Sequence, residues 1–176
     1  KQNFANVDDY LRDLAIEMHL FSASEATIPR LAQLTQKTNQ FNVTTRRYSE
    51  AQITEFLTQG VMVWGIQVKD KFGDNGIVGL AIVKPEQNTW YIDTFLMSCR
   101  VIGRKIEECF LGAIINKARE HGVQTVVGEY ITTKKNKIVE QLPKLMQSYY
   151  DSLELRTCKK CGHVMEPPTL KEAVVK

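Results

Sequence analysis

The chain has 176 residues, a net charge of +3 and 43% hydrophobic residues. That is enough for one domain with a real core, and it excludes a disordered polar segment. No stretch approaches the roughly 18 apolar residues of a membrane span, residues 1–13 are too polar for a secretory signal, and the charge is too balanced to argue for nucleic acid.

The cysteines are Cys99, Cys109, Cys158 and Cys161. With no signal peptide they read as free thiols or metal ligands in a reducing compartment, so the expected location is the cytoplasm and no membrane partner is expected.

In chain order, residues 7–17 read as a short lead helix with Leu11, Leu14 and Ala15 on one face. Residues 18–22 read as a first strand. Ser24 is placed to cap a helix carrying Ile28, Leu31, Ala32 and Leu34 at helical spacing. A polar break at 38–42 follows. Ser49 then caps a second helix with Ile53, Phe56 and Leu57 inward. Residues 61–68 and 77–83 are β-rich and flank the turn cluster Gly73-Asp74-Asn75-Gly76, a hairpin. A third long strand is expected at 89–97. After a loop at 98–104, an amphipathic helix runs to Glu120, stopped by Gly122. A strand at 123–131 and a helix at 136–150, bent at Pro143, complete the regular part. Residues 153–156 and 163–165 could pair across the Cys158–Cys161 turn, and residues 166–176 read as a frayed tail.

The expected architecture is α+β, a mostly antiparallel central sheet with helices on both faces. The expected division is a lead helix and linker at 1–17, one domain at 18–157, and the turn and tail at 158–176. This order of elements is similar to that of the GNAT acyltransferase fold.

The strongest site signal follows the third long strand: Ser98-Cys99-Arg100-Val101-Ile102-Gly103-Arg104-Lys105. Three cations crowd a helix N-terminus, where the helix dipole already favours negative charge. Position points to a phosphate or pyrophosphate cradle. Solvated side chains are the alternative. Arg100 to Lys105 resembles the Arg/Gln-x-x-Gly-x-Gly/Ala pyrophosphate loop of GNAT enzymes, with Lys105 where that pattern has Gly or Ala. Arg100, Val101, Ile102, Gly103, Arg104 and Lys105 are therefore the expected contacts for CoA or a phosphopantetheine thioester.

A second resemblance is longer. Ile28-Pro29-Arg30-Leu31-Ala32-Gln33-Leu34-Thr35-Gln36-Lys37-Thr38-Asn39-Gln40-Phe41-Asn42, Thr44-Thr45-Arg46-Arg47-Tyr48, Phe72-Gly73-Asp74-Asn75-Gly76 and residues 93–104 resemble the C-terminal GNAT-like half of FkbH-family proteins. Those proteins load glyceryl groups in methoxymalonyl-acyl-carrier-protein biosynthesis. The resemblance implies an acyl carrier protein as partner and a HAD-type phosphatase domain in the whole protein. No Asp-x-Asp nucleophile of that domain occurs in these residues, so it implies an excised C-terminal domain or a stand-alone relative. It also implies that Asn136 lies near a pantetheine arm. It turns the polar segment Asn39, Asn42, Thr44, Arg46 and Arg47 toward a ligand, against the plainer reading of local turn chemistry.

Two residues are the catalytic candidates. Cys99, beside Arg100 and near a helix N-terminus, has features that favour a thiolate able to carry an acyl group; a small packing residue is the alternative. Asp93 lies mid-strand, alternating with Tyr91 and Phe95. If buried, it is a general base or a partner for Arg46, Arg47 or Arg100. Cys109 falls on the apolar face and is expected in the core. Cys158, Cys161 and His163 supply three of the four ligands of a structural zinc, so a tight hairpin is expected there rather than zinc. A GNAT-shaped module that only docks the carrier protein remains the alternative to an acyltransferase.

Overall fold

Among the described residues the strands and α-helices are β1 (Glu17–Ser22), α1 (Ile28–Lys37), α2 (Glu50–Thr58), β2 (Met62–Asp70), β3 (Gly73–Glu86), β4 (Thr89–Met97), α3 (Ile106–Glu120), β5 (Thr125–Gly128), β6 (Arg156–Thr157), β7 (Val164–Met165) and β8 (Thr169–Lys171). The computed structural model describes residues 10–11 and 13–140, and beyond them the backbone of 156–157, 164–165 and 169–171.

One sheet runs in the order β1-β2-β3-β4-β5-β8. Its first four strands are antiparallel neighbours. β5 lies parallel to β4, and β8 parallel to β5. A parallel neighbour needs a crossover, and α3 supplies it. α1 and α2 cover one face: Ile28, Leu31, Leu34 and Ile53 pack with Val63, Leu80, Ile82 and Leu96. α3 covers the other, where Phe110, Ile114 and Ala118 meet Trp64, Val83, Trp90 and Phe95. This is the α+β layering expected from the sequence. Among the described residues no helix is long and apolar enough to cross a membrane.

Element ends differ from the sequence reading where polar side chains decide them. Ser24 and Thr27 bond each other, Ser24 N–H to Thr27 Oγ1 at 2.9 Å, and form a turn. The helix therefore starts at Ile28, with Pro29 in its first turn. α2 starts as expected, with a reciprocal Ser49–Gln52 capping box. β3 begins earlier than expected because Gly73 and Asp74 already pair with Asp70 and Lys69. β5 is shorter than 123–131. The helix expected at 136–150 is a 3-10 turn, Lys137–Val139, within the described residues. Residues 141–150 lie outside them. Of the expected lead helix, Tyr10, Leu11 and Asp13 are described and helical, residues 14–15 turn, and the chain is tied down where Leu14 is buried and its carbonyl accepts the Lys71 N–H at 2.9 Å. Residues 169–171, expected in a frayed tail, form β8. β6 and β7 pair antiparallel, Arg156 with Met165 and Thr157 with Val164. Cys158, Cys161 and His163 between them lie outside the described residues.

Candidate functional site

The site is shaped by an irregularity in β4. Thr94 pairs with Ile82, but Ile92 pairs with Val83, which leaves Asp93 as an extra residue. Such a bulge bends a strand and shifts its alternation. Ile92 and Phe95 consequently both join the core beneath α3, and the expected alternation of Tyr91, Asp93 and Phe95 is broken. β4 also parts from β5 there, the last parallel pair being Ile92 with Gly128.

Beyond that point another part of the chain takes the vacated edge of β4. Val43 N–H donates to the Phe95 carbonyl at 3.1 Å, and Met97 N–H donates to the Phe41 carbonyl at 3.0 Å. Asn42 bridges Leu96. On its other side, Val43 accepts the Ile131 N–H at 2.8 Å. Residues 41–43 are thus a short antiparallel insert between β4 and the chain leaving β5. Phe41, Asn42 and Val43 are all buried.

Asn136 locks this insert. Its side-chain amide donates to the Asn42 carbonyl at 3.0 Å and the Ile131 carbonyl at 2.9 Å, and its Oδ1 accepts the Thr133 N–H at 2.7 Å. It is fully buried. The structure uses it as a brace, where the resemblance implies a contact to a pantetheine arm.

In the polar segment 39–47, Asn42, Thr44 and Arg47 bond within the protein. Asn42 Oδ1 accepts the N–H groups of Thr44 and Thr45, and its amide donates to the Thr38 carbonyl at 3.2 Å. Thr44 Oγ1 donates to the Asp93 carbonyl at 3.0 Å. Arg47 donates to the Thr35 and Thr38 carbonyls at the end of α1 and to Asn39 Oδ1. Turn and cap chemistry accounts for the contacts of Asn42 and Arg47, while Thr44 ties the segment to β4.

Asp93 is buried and receives four donors: Lys84 at 2.6 Å, Tyr48 at 2.6 Å, Arg46 at 2.9 Å and Thr94 at 2.9 Å. Burial alone would raise its pKa, but the bonds from Lys84 and Tyr48 outweigh burial and hold it below the usual carboxylate range. These four donors take up the carboxylate's hydrogen-bonding positions, and the expected partner role to Arg46 is the one the structure shows. Arg46 spans on to Glu129 at 2.5 Å. Burial and Asp93 push the Tyr48 phenol well above its ordinary value. Sequence reading missed Lys84 and Tyr48 as partners, because Lys84 reaches Asp93 only through the β3–β4 pairing and Tyr48 only through the packing of the segment before α2, 45 residues away.

The loop after β4 leads into the α3 N-terminus, as expected. A 3-10 turn spans Cys99–Val101, Gly103 sits at φ 79° and Lys105 at φ 59°. Only glycine adopts the first freely, while the second costs a side-chain-bearing residue about 1 kcal/mol. The cations do not converge. Arg104 turns away to Asp70 at 2.7 Å; Asp70, which also accepts the Phe72 N–H and the Asn75 amide, is held low. Val101 is buried and Ile102 packs against the core. Glu107 and Glu108 stand in the first turn of α3 and answer its dipole.

Arg100 instead faces a groove of about 630 Å³ between the second half of α1 and the 98–100 turn. Its wall includes Arg30, Lys37, Asn39, Phe41, Cys99 and Arg100, and no carboxylate. Cys99 is exposed. Cys109, expected in the core, is exposed as well. At roughly 100° per residue, Cys109 lies about 120° around the helix from the centre of the buried stripe through Ile106, Phe110, Ile114 and Ala118. Among the described residues no group of His, Cys, Asp and Glu could hold a metal.

No protein-family model matches the sequence, and no curated protein does. Solved structures do match. The ribosomal-protein-S18-alanine N-acetyltransferase of Escherichia coli is similar with a TM-score of 0.54 and 13% identity over 81% of this chain and 80% of its own. Ard1 from Thermoplasma volcanium gives 0.54 at 16% identity over 72% and 80%, and the IAA acetyltransferase from Bacillus cereus 0.52 at 15% over 85% and 94%. The GNAT N-acetyltransferase YhbS from Escherichia coli, in complex with CoA, gives 0.50 at 12% over 66% and 64%. At such identities the likeness speaks for architecture: the chain has the GNAT acyltransferase fold.

Proposed function

We propose that this GNAT-like domain takes part in loading an acyl group of the glyceryl or methoxymalonyl class onto an acyl carrier protein, as the FkbH-family resemblance implies. The observation that carries this reading is the groove. Arg30, Lys37 and Arg100 line it without a carboxylate, and the exposed thiol of Cys99 stands in its wall. A carrier protein brings an acidic surface and an arm attached through a phosphate, and both suit such a groove. The arm ends in a thiol. Attack of its thiolate on a Cys99 thioester would form the new C–S bond and break the C–S bond to Cys99. The departing sulfur then takes up the proton that the arm thiol gave up. Phosphate release belongs, by the same resemblance, to a HAD-type domain. CoA carries the same arm, and it is the ligand of YhbS.

A second reading, docking of the carrier without acyl transfer, is favoured by the surroundings of Cys99. Asp93 is spent on its four donors. His121 sits at the far end of α3, about 20 Å along the helix from its start. His19 lies on β1, with β2 and β3 between it and β4.

One experiment tests both readings in the full-length protein with holo-carrier. Lys37→Glu combined with Arg100→Glu should weaken carrier binding at least tenfold; unchanged binding would sink the proposal. Cys99→Ser should abolish loading and keep carrier binding. Loading that survives this change would leave docking as the function.

A further inference from the structure

The GNAT fold implies a CoA-type arm, and an extended arm with its own amides could pair only with strand edge that is free. β4 offers such an edge past Ile92, where β5 departs, and β3 already occupies the opposite edge through Met97. The Phe95 carbonyl and Met97 N–H on that edge are both bonded to residues 41–43. For an arm to lie there, Val43 would have to give up Phe95 and Ile131, and Phe41 would have to give up Met97. Asn136 would lose Asn42 as an acceptor deep in the protein, Thr44 would lose the Asp93 carbonyl if the displacement reached it, and Phe41 would leave its place beside Phe95. Two amide pairs from a flexible ligand replace fewer bonds than they break, and they leave buried polar groups unpaired. The residues present do not fit CoA along β4.

We infer that Phe41–Val43 is a specificity element that closes β4 to a pantetheine arm, whether the arm arrives on free CoA or on a carrier protein. This deepens the proposed function by removing one of two routes to Cys99, and the closure itself does not depend on that reading.

Amide hydrogen exchange followed by NMR on the whole chain tests it, with millimolar CoA in one arm and a holo-carrier protein in the other. The Val43, Met97 and Ile131 amides should exchange slowly in the free protein and change less than twofold with either addition. CoA that binds and leaves these three amides protected also supports closure, because it sits elsewhere. Tenfold faster exchange at Val43 and Ile131 on adding CoA or carrier overturns the inference, as does fast exchange at those amides in the free protein. Failure of the groove reading looks different: carrier binding indifferent to Lys37→Glu and Arg100→Glu, with Val43 and Ile131 still protected.

Discussion

Removing the Asp93 carboxylate would leave Lys84 without its carboxylate partner and Arg46 with Glu129 alone as counter-charge. Breaking a buried pair on one side costs several kcal/mol, but both cations are about one-third exposed, so about 2–3 kcal/mol is expected for Asp93→Asn. Urea unfolding at pH 7 measures it. The folded carboxyl is held below the roughly 3.9 of an unfolded aspartate. Its contribution is therefore full above that value and disappears as pH falls through the folded pKa. Wild type should lose stability more steeply than Asp93→Asn on acidification below about pH 4. The phenol of Tyr48 is shifted the other way. Its contribution is full below about pH 10 and fades at higher pH, and Tyr48→Phe should flatten that alkaline limb. Among the thiols, desolvation of the sulfur by the atoms around it, then Glu108 and Glu107, raise Cys109 although the residue is exposed, while the Cys99 groove holds no carboxylate. Alkylation at neutral pH, mapped by peptide mass spectrometry, should mark Cys99 several-fold faster than Cys109; equal rates would contradict this contrast.

Arg47 shows how a residue picked out for ligand contact can serve an element instead. Its guanidinium closes the open carbonyls at the end of α1, and Arg47→Met should cost about 1–2 kcal/mol by thermal unfolding, without change in the sheet. The elements legible in the sequence were those with local causes. β4 runs Thr89–Met97 as read, because a turn bounds it before and a loop after, and α2 begins at a cap whose partner is three residues on. The illegible ones had distant causes. Residues 41–43 read as part of a polar break, since a strand of three residues is visible only through Phe95, Met97 and Ile131. The Asp93 bulge shows only against β3.

Across the whole molecule the net charge is modest, yet the groove gathers three cations. Attraction to an acidic carrier should then be local and sensitive to screening. Raising salt from about 0.05 to 0.5 M should weaken carrier binding severalfold and mainly slow association, and the slope should shrink in Lys37→Glu. Layering and crossover were legible in the sequence because alternating elements leave few arrangements. The site was less so: its loop lies where expected, but Arg104 is drawn to Asp70 by a hairpin 34 residues earlier. The insert at 41–43 also has a consequence in time. It comes before β2 in the chain, yet its neighbours Phe95 and Ile131 lie more than 50 and 85 residues later, so it cannot dock until the antiparallel meander and the α3 crossover exist. Closing such loops is entropically late. The insert should be among the last parts to assemble. Asn136→Ala should therefore accelerate unfolding while leaving the refolding rate nearly unchanged, as expected for contacts absent from the transition state.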